Sequence, residues 1–262
     1  MGTTLRLPLP VVPDVSDPRA RQALLDVVAD GVPVRMLLDT GTYRSSVPYR
    51  DALAGRVQRD ASSGSGVFGS GDVNETLVQL GALEWGPLTV RDMTVTMDSA
   101  GWPHPPLLGM DVLGSHACHF RFDEGSLELD GPAPSEALLP LQTPSHKTPV
   151  VPVHWEETTI NAVWDTGAGI TLVDQAWAEA HPEIVAIAQE FGTGTDVHGT
   201  TSQHPMGRLA PCRIGQATFP EQECGVLDLS GINIEMILGL PLISHANWYM
   251  DFPQQRWSNQ NS

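Results

Sequence analysis

Two stretches of this chain are copies of one another, and the copying restricts the possible architectures more than any composition figure does. Leu37-Leu38-Asp39-Thr40-Gly41 and Val163-Trp164-Asp165-Thr166-Gly167 lie 126 residues apart, counted Asp39 to Asp165. Their neighbours recur in the same order. Leu7-Pro8-Leu9 matches Leu139-Pro140-Leu141 at an offset of 132, and Val67-Phe68-Gly69 matches Val197-His198-Gly199 at 130. Leu107-Leu108-Gly109 matches Ile237-Leu238-Gly239 at 130, and Ser115-His116-Ala117 matches Ser244-His245-Ala246 at 129. Landmarks kept in one order mark two units of one design. The expected division is a first unit over 1–130, a proline-rich connection over 131–149 and a second unit over 150–262. The connection carries Pro132, Pro134, Pro140, Pro144 and Pro149, a density suited to semi-extended chain. Its Ala137–Leu141 stretch is expected to start the second unit as a strand.

Local pattern predicts mostly β-structure. Leu24–Ala29, Asp30-Gly31 and Val32–Leu38 form an apolar run, a type I′ turn pair and another apolar run, which is a hairpin signature. The second copy runs Val150–Trp155, Glu156-Glu157, Thr158–Trp164. Residues 77–97 and 208–227 read as further hairpins. Short helices are expected at Pro48–Ala54 and at Asp174–Ala180, where Asp174 is the N-cap candidate. Asp17-Pro18-Arg19 to Leu25 also looks helical, with Asp17 capping and Pro18 at N1, although the repeat argues for extended chain there.

Each triplet places an Asp at the end of an apolar strand. Gly41 and Gly167 allow a sharp turn and leave room for a bound chain. Thr40 and Thr166 can hydrogen-bond to the opposite loop. One Asp-Thr-Gly is as readily an ordinary turn; two in matching contexts predict carboxylates facing each other across a pseudo-twofold axis. Two such carboxyls cannot both ionise easily, so they share a proton. The pair can then activate water against a peptide bond. The Thr42 hydroxyl is expected to donate to Asp39 and favour its ionised form, leaving the proton to Asp165, which is followed by Ala168. Tyr43 either lines a pocket or packs on the following helix. The recurrence of His116 and His245 predicts a structural hydrogen bond in each unit, and Trp164 and Trp248 are expected in the core.

Composition excludes several classes. The formal charge is −17, with Lys147 the sole lysine, so nucleic acid is not an expected partner. Three cysteines, Cys118, Cys212 and Cys224, do not describe a disulfide framework. Cys212 and Cys224 are expected as buried thiols, with pairing on neighbouring strands left open. His116-Ala-Cys-His119 is an isolated pair, so no metal and no other cofactor is expected. No apolar run is long enough to span a bilayer and no signal peptide is visible, so no membrane partner and a cytoplasmic location are expected.

The residues around the two triplets carry a resemblance to the aspartic proteases of the retropepsin and pepsin superfamily. It rests on Leu38-Asp39-Thr40-Gly41-Thr42, Trp164-Asp165-Thr166-Gly167-Ala168, Leu107-Leu108-Gly109-Met110-Asp111 and Ile237-Leu238-Gly239-Leu240-Pro241. The resemblance implies an all-β fold of two retropepsin-like lobes about a pseudo-twofold axis, bilobal like pepsin, with the cleft between them. The whole is similar to a fused retropepsin dimer acting as a monomer. It implies catalytic Asp39 and Asp165, supported by Thr40, Gly41, Thr42, Thr166, Gly167 and Ala168. The strands Leu107-Leu108-Gly109 and Ile237-Leu238-Gly239 would back the Asp loops. Flaps at Val67-Phe68-Gly69 and Val197-His198-Gly199 would close over an extended peptide with bulky apolar side chains beside the cut. The implied activity is endopeptidase, without cofactor. The alternatives are a non-catalytic peptide-binding module and a processing protease with one dedicated partner, in which the segment up to Arg21 is an inhibitory or ordering strand.

Overall fold

The computed structural model describes residues 4–54, 56–66, 69–102, 104–143, 148–195 and 201–261. Among these residues the strands form sheets of eight, nine and six, and the α-helices are no longer than six residues.

Each lobe is built on the predicted hairpin. Arg21–Ala29 pairs antiparallel with Val32–Leu38, and Asp30 (φ 48°) and Gly31 (φ 79°) supply the two positive φ angles of a type I′ turn. Val150–Trp155 pairs with Thr158–Trp164 in the same way. The strands alternate: Leu38 and Trp164 point into the main core, and Leu37 and Val163 point to the other face. A later strand then returns parallel to the end of the second one. Leu107–Leu108 runs beside Leu37 and Leu38, and Met236–Leu238 runs beside Val163 and Trp164.

A long hairpin rises from each lobe. The arms are Val57–Gly66 with Gly69–Trp85 in the first and Val185–Thr195 with Thr201–Leu209 in the second. Gly69 opens the return strand opposite Gly66. Val67, Phe68, Val197, His198 and Gly199 lie outside the described residues.

The six-stranded sheet joins the lobes. Its order is Leu5–Pro8, Ser126–Leu129, Ala117–Arg121, Ala246–Asp251, Arg256–Asn261, Leu139–Pro140. The two central strands, one from each copy, pair antiparallel from Ala117↔Asp251 to Phe120↔Trp248. Beneath them, Phe120 meets Trp164 edge-on at 4.9 Å, and Trp164 meets Trp248 at 5.6 Å. Such aromatic pairs add about 0.5–1.5 kcal/mol each beyond their buried area. Leu7 and Leu9 are fully buried in the same core.

Several expectations are corrected. Residues 14–20 are not helical. Asp14 accepts from the backbone N–H groups of Ser16 (2.6 Å) and Asp17 (3.2 Å), Val11–Pro13 pairs with Arg21–Ala23, and the chain continues as a strand. The helix near Pro48 is confined to Asp51–Ala54. His116 bonds Asp130 through Nδ1 at 2.8 Å, whereas His245 is exposed, so the histidines do not play one role in both lobes. Asp174 does cap Gln175–Ala180, accepting from Trp177 N–H at 2.9 Å. Cys118, Cys212 and Cys224 are all free and buried, and burial pushes the last two thiols up to about 12. Among the described residues, no helix is long and apolar enough to cross a membrane, and no His, Cys, Asp and Glu cluster is arranged for a metal.

Candidate active site

Asp39 and Asp165 each follow the second strand of a hairpin, and each is fixed by the parallel strand beside it. Asp39 N–H donates to Leu108 carbonyl at 3.0 Å, and Asp165 N–H to Leu238 carbonyl at 3.1 Å. The apolar-apolar-Gly segments therefore hold the two loops from behind. Gly109 N–H donates to Ser45 Oγ at 3.0 Å, and Gly239 N–H to Thr171 Oγ1 at 3.1 Å, so a hydroxyl locks each segment to the chain after the triplet. In the first lobe Ser45 is also held by Asp111, through Oγ at 2.6 Å and N–H at 2.9 Å. The matching position in the second lobe is Pro241.

The threonines cross the axis. Thr40 Oγ1 donates to Trp164 carbonyl at 2.9 Å and accepts from Thr166 N–H at 3.1 Å. Thr166 Oγ1 donates to Leu38 carbonyl at 2.9 Å and accepts from Thr40 N–H at 3.1 Å. Both side chains are fully buried. Every donor and acceptor in this four-bond grip is satisfied by the opposite lobe, so neither loop is complete without the other.

The glycines let the carboxyls approach. A Cβ on Gly41 would sit 2.7 Å from Asp165 Oδ1, and one on Gly167 would sit 2.6 Å from Asp39 Oδ1. Both are inside van der Waals contact. Each carboxyl thus rests on the glycine of the opposite triplet. Asp39 Oδ1 accepts from Gly41 N–H at 2.8 Å and Thr42 N–H at 3.0 Å; Asp165 Oδ1 accepts from Gly167 N–H at 2.8 Å and Ala168 N–H at 3.3 Å. Burial raises both carboxyls above the ordinary Asp value of 3.8, Asp39 well above it because the charge of Asp165 adds to its desolvation. Asp39 is 4% exposed, and Asp165 is more open. Two desolvated carboxyls this close favour holding one proton between them. The hydroxyl expected to donate to Asp39 makes no bond to it: Thr42 reaches Asp39 through its backbone N–H, as Ala168 reaches Asp165.

Of the remaining sequence candidates, Tyr43 has an exposed side chain, and its carbonyl accepts from Asp111 N–H at 2.7 Å. The polar pair Ser46 and Asp98, on the sheet face beside the Asp39 loop, escaped the sequence reading. Aligning the copies strand by strand would have set it against Leu172 and Leu227.

Two family models match the chain. The one described as "gag-polyprotein putative aspartyl protease" covers residues 25–115, and the aspartyl protease model covers 151–242. A search of curated protein sequences found no match. Among solved structures, the aspartic proteinase from Irpex lacteus is similar in fold, at a TM-score of 0.59 and 14% identity over 99% of this chain and 98% of that one. The chain belongs to the aspartyl proteases, with two retropepsin-like domains in one polypeptide arranged as the two lobes of a pepsin-like structure.

Proposed function

We propose that the protein is an endopeptidase that hydrolyses internal bonds of extended peptides, with Asp39 and Asp165 sharing one proton and activating one water. The observation that carries this reading is the reciprocal packing of each carboxyl on the opposite glycine, with both carboxyls desolvated. We further take residues 1–130 and 150–262 as lobes joined through 131–149, working as one chain without a second copy.

We take Asp165 as the ionised member of the pair and Asp39 as the protonated one. Ionised Asp165 removes a proton from water as the oxygen bonds to the scissile carbonyl carbon. Protonated Asp39 gives its proton to the carbonyl oxygen, so a neutral gem-diol forms. On collapse Asp165 protonates the departing amine, the C–N bond breaks and a diol proton returns to Asp39. The backbone N–H pairs on each Oδ1 hold the carboxyls in place throughout. Both groups titrate above the ordinary Asp value, so the bell of activity against pH is expected to lie above 3.8.

A self-processed N-terminal segment has little support. Leu5–Pro8 is hydrogen-bonded to Ser126–Leu129, and Leu7 and Leu9 are core residues, so removal would open the shared sheet.

The test is digestion of a diverse peptide library from about pH 3 to 8, bracketing the carboxyl and histidine titrations. Products are read by mass spectrometry for the wild type, Asp39→Ala and Asp165→Ala, with pepstatin as a second probe. Cleavage by the wild type that disappears in both variants supports the reading. An inactive wild type that still binds peptides would move the protein to the non-catalytic alternative.

A further inference from the structure

The sheet face that carries each Asp is built differently in the two lobes. In the first lobe Met93, Val95 and Met97 enter the main core, so Asp98 is directed to the opposite face by strand alternation. Val47 is also core, and Ser46 lies on that same opposite face with Leu37 and Leu107. Ser46 Oγ accepts from Leu107 N–H at 2.9 Å and donates to Asp98 Oδ2 at 3.4 Å. Asp39 follows Leu37 by two residues, so this face runs to the edge of the dyad.

The equivalent positions in the second lobe follow from the register. Ser46-Val47 runs parallel to Thr96-Met97, as Leu172-Val173 runs parallel to Gly225-Val226. Ser46 therefore corresponds to Leu172, and Asp98 to Leu227. Leu227 belongs to a separate apolar cluster with Val150, Val163, Leu229 and Ile237, and Leu172, Ile232 and Ile234 form its half-open margin. The corresponding margin of the first lobe carries Trp102 and His104 at the positions of Ile232 and Ile234, counted from the matched Leu107 and Ile237.

Resting on the proposed peptidase reading, we infer that Ser46 and Asp98 make the first lobe's wall a subsite for a basic substrate side chain, lysine or arginine. Leu172 and Leu227 make the second lobe's wall a subsite for an aliphatic one. Burial raises Asp98 to about 6, and among the described residues no cation pairs with it. A buried acid in that state gains most from a partner that brings its own charge. Ser46 keeps the nearer carboxylate oxygen oriented. The chain's net charge of −17 draws basic peptides toward it. The specificity is thus asymmetric about the cut, in contrast to the uniformly apolar preference that the family resemblance implies.

The test pairs cleavage with binding. Peptides identical except for lysine, norleucine or glutamate at one position are digested, and the same peptides are titrated at pH 7 into the inactive Asp39→Asn protein by calorimetry. At one position lysine is expected to exceed norleucine by roughly 10–100-fold in kcat/KM and in affinity, the range of a charge-assisted contact in a half-buried site. Asp98→Leu should reverse that order, and Asp98→Asn, which keeps shape and hydrogen bonding, should lower the lysine advantage by about tenfold. Leu227→Asp should create a second basic preference at another position. Cleavage without a lysine preference, or with one that Asp98→Leu and Asp98→Asn leave intact, overturns the inference while the peptidase reading survives. Absence of wild-type cleavage together with an Asp98-dependent lysine preference in binding keeps the subsite and removes the peptidase. Neither cleavage nor binding overturns both.

Discussion

The bonds across the pseudo-axis match closely, while the sheet faces a few residues away do not. Thr40 and Thr166 exchange the same four bonds at the same distances, 2.9 and 3.1 Å in each direction. Seven residues after each catalytic Asp candidate, the chain has Ser46 in one copy and Leu172 in the other; Asp98 is likewise matched by Leu227. On the proposed mechanism, hydrolysis by a shared proton constrains the first set, because both carboxyls must meet one water from opposite sides. Nothing in that chemistry constrains the second set. In a symmetric dimer every substitution appears twice; in a single chain each wall is free to take its own side chains.

That contrast can be broken most severely at the dyad. Asp39→Asn and Asp165→Asn are each expected to lower kcat/KM by about four orders of magnitude, with the double variant no worse, because the pair acts as one unit. Initial rates on one peptide decide this, and a single variant with more than a tenth of normal activity would mean that the halves do not share one site. At the glycines behind the loops the copies should diverge. A Cβ on Gly239 meets the backbone of Ile170 and Thr171, at 2.6 Å from Thr171 N, while one on Gly109 stands 3.1 Å from its nearest neighbours. Gly239→Ala is expected to cost about 3 kcal/mol and Gly109→Ala about 1 kcal/mol, measured by urea denaturation.

The threonine grip should return to symmetry. Thr40→Ala and Thr166→Ala are expected to cost about 2 kcal/mol each, because each strands two buried partners. The double variant should cost less than the sum, since the two side chains share partners. A smaller effect is set by Asp98. Its folded value of about 6 lies above the ordinary 3.8, so the unfolded chain loses that proton first. Its contribution to stability is then greatest below pH 4 and falls as pH rises toward 6. Asp98→Leu should remove this decline, worth roughly 1–2 kcal/mol after allowing for partial exposure. Melting temperatures at pH 4 and pH 7 measure it, and the all-leucine wall of the second lobe supplies no counterpart. The smallest effect is expected from Thr42→Ala: the pH–rate profile should keep both limbs, because the backbone N–H that reaches Asp39 remains.

Most of what the sequence made legible was what the copying duplicated. The hairpins, the Asp loops and the backing strands follow from local pattern read twice; the Asp174 cap, whose counterpart is Pro48, follows from its own residue type at a helix start. The misjudged features depend on partners that only one copy has. Asp17-Pro18 carries sound helix-start signals, yet Asp14 gathers the following turn and Val11–Pro13 claims Arg21–Ala23 as a strand partner, so tertiary pairing overrides propensity. His245 repeats His116 in sequence, but its copy lacks Asp130's counterpart as a bonding partner. Thr42 looked like a hydroxyl donor because residue type does not reveal which of its groups faces Asp39. The Ser46 and Asp98 wall needed register, which links positions 52 residues apart.

The reciprocal threonine bonds also set a timetable for the nascent chain. Thr40 is synthesised with its partners, Trp164 and Thr166, still about 125 residues from being made. At ordinary elongation rates of about 5–20 residues per second that is a wait of roughly 6–25 s. The shared sheet needs Arg256–Asn261 as well, so it is completed later still. On the proposed mechanism, a centre divided in this way cannot act on its own nascent chain, or on neighbouring ones, before the second Asp loop has been made.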